Sequence, residues 1–289
     1  MTQNVLAFPR LGMLDQAQCQ AIHLASLEIL RRTGTRVHCE AALALLRETD
    51  AVITDGNLVR FPPGLVEWAL AQVPPRVTLC RRGSDQGVVP LQGRVVNFGP
   101  GSDCPNYLDP RTGEHRPFKV ADVIDAIHVV DALPEMDFCM SMGIPSDLGG
   151  QCQGSLSKGE VLSLSKGEVL SLSKGKGSPY RHQFALMLAH TAKPLVFVCD
   201  DLADCQAIVA MATAAAGGRE ALRLNPTLLL YSEPSTPLQH SQTATEKLLY
   251  MAEQGLPIVH SPAPMMGGTA PVTLAGAWRW ATRRCCLAW

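Results

Sequence analysis

PLVFVCDDLADCQAIVAMATAAAGGREALRLNPTLLLYSEPSTPLQHSQTATEKLLYMAEQGLPIVHS, residues 194–261, decides the fold. It contains three short apolar runs, LVFVC, TLLLY and PIVHS. Helical-period stretches separate them, Ala203 to Ala216 and Ala244 to Gln254. Strands that are apolar on both faces and alternate with helices imply a parallel sheet covered by helices.

Upstream, the same rhythm predicts strands at RVVNF (Arg94 to Phe98) and MDFCMSMG. It predicts helices over Val120 to Ala132 and over HQFALMLAHTA, and a hairpin turn at Asp109-Pro110-Arg111-Thr112-Gly113. Five such strands, none followed by GxGxxG, favour an incomplete (β/α)8 TIM-type barrel over a dinucleotide-binding fold. Residues 94–277 are assigned to this partial barrel.

Residues 1–93 read as a mainly helical N-terminal region with short strands. Leu14 to Thr33 has helical periodicity and stops at Gly34, and Glu40 to Glu48 is a second amphipathic helix. Pro62-Pro63 opens a third, which ends before Pro74-Pro75, and VTLC at Val77 to Cys80 fits a strand.

Two stretches break the pattern. Residues 154–177 repeat an octad, GSLSKGEV, LSLSKGEV, LSLSKGKG, with too few large apolar groups to form a core of its own. It reads as an in-frame tandem insertion in a loop, where added length costs little entropy. Residues 278–289, WRWATRRCCLAW, differ in character from the run before them. One frame over, these codons can encode a continuing helix, so a frameshift near Ala277 is expected to have produced this tail.

Composition narrows the function classes. The net charge of −1 over 289 residues gives no bulk attraction to nucleic acid or an anionic membrane. The 46% hydrophobic content is ample for a packed core. No charged-then-apolar leader and no membrane-length apolar run stand out. The ten cysteines form no CxxC pair, so reduced thiols in a cytoplasmic protein are expected and no metal site is assigned.

Six segments, in this order, resemble the trimethylamine methyltransferase family. They are IHLASLEILRRTGTRVH from Ile22, FPPGLVEWAL from Phe61, VVNFGPGSDCPNYLDPRTGEHRP from Val95, TAKPLVFVCDD from Thr191, YSEPSTPLQH from Tyr231, and GLPIVHSPAPMMGGTAPVTLAGA from Gly255. The resemblance covers nearly all of residues 10–277 outside the octads. It implies a TIM barrel behind a helical N-terminal region, in chains that continue well beyond residue 289. It also implies demethylation of trimethylamine or a quaternary amine such as glycine betaine, with the methyl delivered to the cobalt of a separate corrinoid protein. The methylamine branch of the family carries pyrrolysine later in the barrel, so the catalytic centre is expected beyond residue 289 and this chain is expected to be a truncated member.

Moving a methyl group from an amine calls for a positioned C–N bond, aromatic faces and a few carboxylates that attract a cation. In a barrel these groups stand past the C-terminal ends of the strands. Gly99, Gly101, Asp103, Asn106, Ser232, Glu233 and His260 are the candidate substrate-binding residues. Ser141, Asp147, Asp200, Asp201 and Ser261 stand at comparable places. Gly267, Gly268 and Thr269 are candidates for a rim facing the corrinoid. Asp200 or Asp201 also reads as a helix N-cap, Asp103 as a turn residue and His260 as a core histidine.

The expected partners are a corrinoid protein and a small methylated amine, and self-association into a homo-oligomer is left open. Two alternatives stand beside this reading. One is an inactive fragment of such an enzyme. The other is a zinc-dependent methyltransferase barrel using Cys104, Cys139 and Cys199. The DNA downstream of codon 289 tests the frameshift: an extended alternative reading frame is expected there, and its absence would reject the idea.

Overall fold

The computed structural model describes residues 14–93, 95–148, 178–235, 237–274 and 276–277. The octads at 154–177 and the tail at 278–289 lie outside the described residues. The architecture is mixed α/β, with eight helices and several small sheets among the described residues.

In the N-terminal region, α1 (Gln16–Arg32), α2 (Glu40–Arg47) and α3 (Pro63–Gln72) form as the periodicity predicts. The Asp15 side chain accepts the Gln18 N–H in a capping box, and Gly34 ends α1 at φ +71°. The strands here were only partly legible. Between α1 and α3 run β1 (Thr35–Val37), β2 (Val52–Thr54) and β3 (Leu58–Arg60), with β2 and β3 paired antiparallel. Their Asp55-Gly56 turn, both residues at positive φ, is the standard signal for such a hairpin. β4 (Val77–Cys80) is where VTLC predicts it, but its partner is β5 (Gly87–Leu91).

Past a two-stranded hairpin, β6 (Asn106–Leu108) and β7 (His115–Pro117), the βα rhythm appears. Helices α4 (Val120–Ala132), α5 (Pro179–His190), α6 (Leu202–Ala215) and α8 (Gln242–Gln254) alternate with β8 (Leu195–Phe197), β9 (Leu228–Ser232) and β11 (Ile258–His260). A short α7 (Arg219–Leu224), which the periodicity did not predict, follows α6. The strands β8, β9 and β11 pair parallel in chain order, β8 next to β9 next to β11. A parallel bridge from Cys139 to Leu195 extends this order backwards, and another from Cys104 to Gly143 extends it further. Five segments thus lie side by side in sequence order, three of them as a continuous sheet. The described residues show this arc and not a closed barrel.

The expected strand at Arg94 to Phe98 is corrected by the structure. Residues 95–98 have no regular structure, Arg94 lies outside the described residues, and Val96 and Phe98 are exposed. The next segment meets this stretch at one point, where Asp137 donates its N–H to Phe98 O. The parallel bridge forms later, where Met142 donates its N–H to Gly101 O and Cys104 donates to Met142 O. Pro100 has no N–H for a ladder, and Asp103 and Met142 take left-handed φ of +63° and +61°, which break the pleat. For the same reason MDFCMSMG contributes only bridges at Cys139 and Gly143.

Side-chain alternation sorts the core into two faces. Leu195, Phe197, Leu228 and Leu230 point to the helices, packing with Val123, Ile127, Phe184, Ile208 and Met211. Val196 and Leu229 point the other way, onto Leu79 and Val89 of the β4–β5 hairpin and onto Met140. The hairpin is pinned at the N-terminal ends of the strands: Cys80 donates its N–H to Pro226 O, and Arg82 donates to Ala192 O. The Arg82 guanidinium also reaches Leu188 O and Thr191 O at the end of α5. A separate cluster around Leu27, Leu30, Val59 and Phe61 holds the N-terminal region together. β10 (Gln239–His240) joins that sheet by pairing parallel with β1.

Two positions carry predictions. Gly143 packs under the Phe118 ring so closely that a Cβ would stand 2.3 Å from a ring carbon. Gly143→Ala is expected to cost about 1–3 kcal/mol by thermal or denaturant unfolding, with partial rescue by Phe118→Leu. Arg116 bridges Asp109 and Asp122 at 3.1 and 2.7 Å, and Asp122 also accepts the Lys119 N–H at the start of α4. The Arg116 bonds hold the Asp122 carboxyl below the usual range. That stability is therefore present above the unfolded pKa and is lost as pH falls through the lowered folded one. Asp122→Ala should lower stability by about 2–3 kcal/mol at neutral pH and flatten the acid side of the stability curve.

Candidate functional site

The C-terminal ends of the parallel segments bring together groups that are distant in sequence. β9 ends in Tyr231 and Ser232, with Glu233 just after it, and alternation puts Tyr231 on the side away from the helices, where it packs beside Val196 and Leu229. The Tyr231 hydroxyl donates to Glu233 Oε1 at 2.9 Å. From the first segment comes Asp103, whose carboxylate accepts the Ser102 hydroxyl at 3.1 Å. From the turn after β8 comes Asp200, and from the first turn of α5 comes Tyr180.

Electrostatics ties these residues into one site. Burial, and then the like charges of Asp200 and Glu233, raise the Asp103 carboxyl above its usual value. The Tyr180 hydroxyl is pushed up to about 12, chiefly by burial and then by Asp103 and Asp200. Tyr231 is raised by burial and by Glu233, with Asp103 a smaller cause. Three carboxylates and two phenol rings therefore lie within electrostatic reach of one another, at a place where Asp103, Asp200 and Glu233 keep part of their surface exposed. Such a region attracts a cation and offers aromatic faces to it.

The remaining candidates are placed as follows. Asp201 is the N-cap of α6, accepting the Asp204 N–H at 2.8 Å. Asp147 accepts the Val120 N–H at the start of α4. Asn106 lies in β6 opposite Pro117, on the exposed hairpin. At Gly99 a Cβ would meet the Phe138 ring at 2.4 Å, so its close approach is to protein, whereas Gly101 faces open space. Ser141 and Ser232 are buried. Ser232 and His260 alternate onto the helix side, where His260 stacks on His240 with ring centroids 5.7 Å apart. Ser261 donates its N–H to Ser232 O, tying the ends of β9 and β11.

Gly267, Gly268 and Thr269 sit in a compact turn closed onto Met265 O. Gly267 is at φ +80° with open space around it, and Met265 and Met266 are exposed beside it.

Sequence reasoning missed Tyr180 and Lys247. Tyr180 follows the octads directly, in a stretch that gave no strand-end signal. Lys247 lies in mid-helix, where lysine usually marks a solvated face, yet it is buried and its Nζ donates to Cys199 O and Asp200 O. Among the described residues no three His, Cys, Asp or Glu side chains stand close enough to hold a metal ion. Of the three cysteines in the zinc alternative, Cys104 is exposed while Cys139 and Cys199 are buried. Burial pushes the Cys139 thiol up to about 12, the opposite of the thiolate that a zinc ligand must be. No helix among the described residues is long and apolar enough to cross a membrane.

The family profile described as trimethylamine methyltransferase (MTTB) matches residues 2–150 and 180–282. Trimethylamine methyltransferase MttB of Desulfitobacterium hafniense is 27% identical over 276 residues, covering 94% of this chain and 50% of the relative. Trimethylamine methyltransferase MttB of Methanosarcina barkeri is 25% identical over 280 residues, covering 94% of this chain and 51% of the relative. MttB1 of Methanosarcina acetivorans is 24% identical with the same coverage, 94% and 51%. The chain spans about half the length of these curated relatives. The two family matches are separated at residues 151–179, which contain the octads, and together they take in most of the sequence. On this match the chain belongs to the trimethylamine methyltransferase family.

Proposed function

We propose that the ends of the parallel segments bind trimethylamine or a quaternary amine such as glycine betaine, and that its methyl group passes to the cobalt of a separate corrinoid protein. The observation that carries this reading is the convergence of Asp103, Asp200 and Glu233 with Tyr180 and Tyr231 in a family of amine methyltransferases. The parallel arc in chain order supports a TIM-type barrel as the scaffold, with the described segments as its first part.

The residues have separable roles in this reading. Carboxylates attract the substituted ammonium without acting as nucleophiles, and the rings of Tyr231 and Tyr180 cover its methyl groups. The bond from Tyr231 to Glu233 holds that carboxylate beside the ring. The rim turn fits a large flat ring, because Gly267 has no neighbour where a Cβ would stand and Met265 and Met266 offer apolar contact. Gly267, Gly268 and Thr269 would meet the corrinoid, whose reduced cobalt supplies the nucleophile when it is present. The protein's task is to orient the C–N bond toward the rim and keep water out.

The coverage of half the relatives' length favours one second reading: this chain binds the amine and leaves the transfer to residues it does not contain.

Calorimetric titration with tetramethylammonium tests the binding step. Binding is expected to exceed that of the neutral tert-butanol, and Glu233→Gln and Asp200→Asn should each weaken it about tenfold. Affinity should fall as pH drops through the raised pKa of Asp103, beginning above the ordinary aspartate range. Equal affinity for the neutral isostere would reject the site. Mixing the protein with a reduced corrinoid protein and trimethylamine tests transfer. A change in corrinoid absorbance is expected, and none with any methylated amine would leave the binding-only reading.

A further inference from the structure

Lys247 stands in α8 among the inward residues Ala244, Thr245 and Met251, and it is 8% exposed. An ammonium so placed has lost most of its water, which costs several kcal/mol unless protein groups replace it. The ion pairs found among the described residues do not include Lys247. Its Nζ instead donates to two successive carbonyls, Cys199 O and Asp200 O, just past the C-terminal end of β8. A methionine of similar length could fill the same space without the desolvation cost, so packing alone does not account for a lysine there.

The segment it grips is the one that enters the site. Asp200 is exposed and acts on both Asp103 and Tyr180. Immediately after it, Asp201 caps α6, so the backbone between β8 and α6 has one short turn in which to present Asp200. Two donated bonds to adjacent carbonyls fix both peptide planes of that turn. From Lys247's side of the turn the other ionisable groups are Cys199, Cys205 and Asp204, with Asp204 bound to Arg181 at 2.5 Å.

We propose that Lys247 is a positioning residue for the cation site, locking the Cys199–Asp200 turn so that the Asp200 carboxylate meets the substituted ammonium. The assignment rests on the amine-binding reading above. Lys247 does not touch the ligand; it acts through the backbone that carries Asp200.

The test uses the full chain, tetramethylammonium as the probe, and thermal melting in parallel with calorimetric titration. Lys247→Met is expected to bind the cation about tenfold more weakly with little loss of melting temperature. Lys247→Arg, which keeps the charge and the donors, should recover most of the affinity. Wild-type affinity in Lys247→Met, or a failure of Lys247→Arg to exceed it, would overturn the proposal. If Lys247→Met does not fold, Lys247→Gln takes its place, and wild-type affinity in that variant overturns the proposal equally. No cation binding by the unaltered chain would sink the amine-site reading and this role with it. Binding that is insensitive to residue 247 would sink this role alone.

Discussion

Burial of the β8–β9–β11 sheet on both faces is the constraint on which the rest of the structure depends. Parallel strands need a long crossover between them, and here each crossover is a helix that covers one face. The other face would be left wet and apolar without the β4–β5 hairpin, whose Leu79 and Val89 close it. Because both faces are filled, polar groups are driven to the strand ends, and the chemistry collects there. Arg82 secures the arrangement at the opposite end by capping α5 and pairing its own N–H with Ala192 O.

The two-faced sheet also separates neighbours in sequence. Tyr231, Ser232 and Glu233 are consecutive, yet Tyr231 belongs with the inner cluster while Ser232 is buried toward the helices. His260 follows Ser232 in register and meets His240, which belongs to the strand added to the N-terminal sheet. One side of the strand ends therefore assembles charge and aromatic rings, and the other side joins the two parts of the molecule. Left-handed backbone at Asp103 and Met142 reinforces the first role, since it turns the chain out of the pleat where the carboxylate is presented.

Charge balance at this site is set by distance and burial more than by residue count. The carboxylates come from three different turns, and Asp200 and Glu233 add to the cost of ionising Asp103. A cation bound there, as proposed, would relieve that repulsion. The half-buried Arg116–Asp122 pair near the start of α4 does a different job, joining the exposed β6–β7 hairpin to the helix layer.

The sequence by itself determined the helix over Val120 to Ala132, the main alternation of strand and helix from Leu195 to His260, the three N-terminal helices, and the family. Apolar periodicity and Pro and Gly punctuation are local signals, and they survive without knowledge of the fold. Asp103, Asp200 and Glu233 were legible as strand-end positions for the same reason. Only the tertiary structure decided that RVVNF forms no strand, touching the next segment through the Asp137 N–H to Phe98 O bond while the parallel bridge forms at Cys104 and Gly143. It also decided that Asp201 and Asp147 serve as caps, that Gly99 makes room for Phe138, that Tyr180 comes near Asp103 and Asp200, and that Lys247 reaches the carbonyls of Cys199 and Asp200. Those facts depend on which segments become neighbours across long stretches of chain, and no local pattern of residues records that.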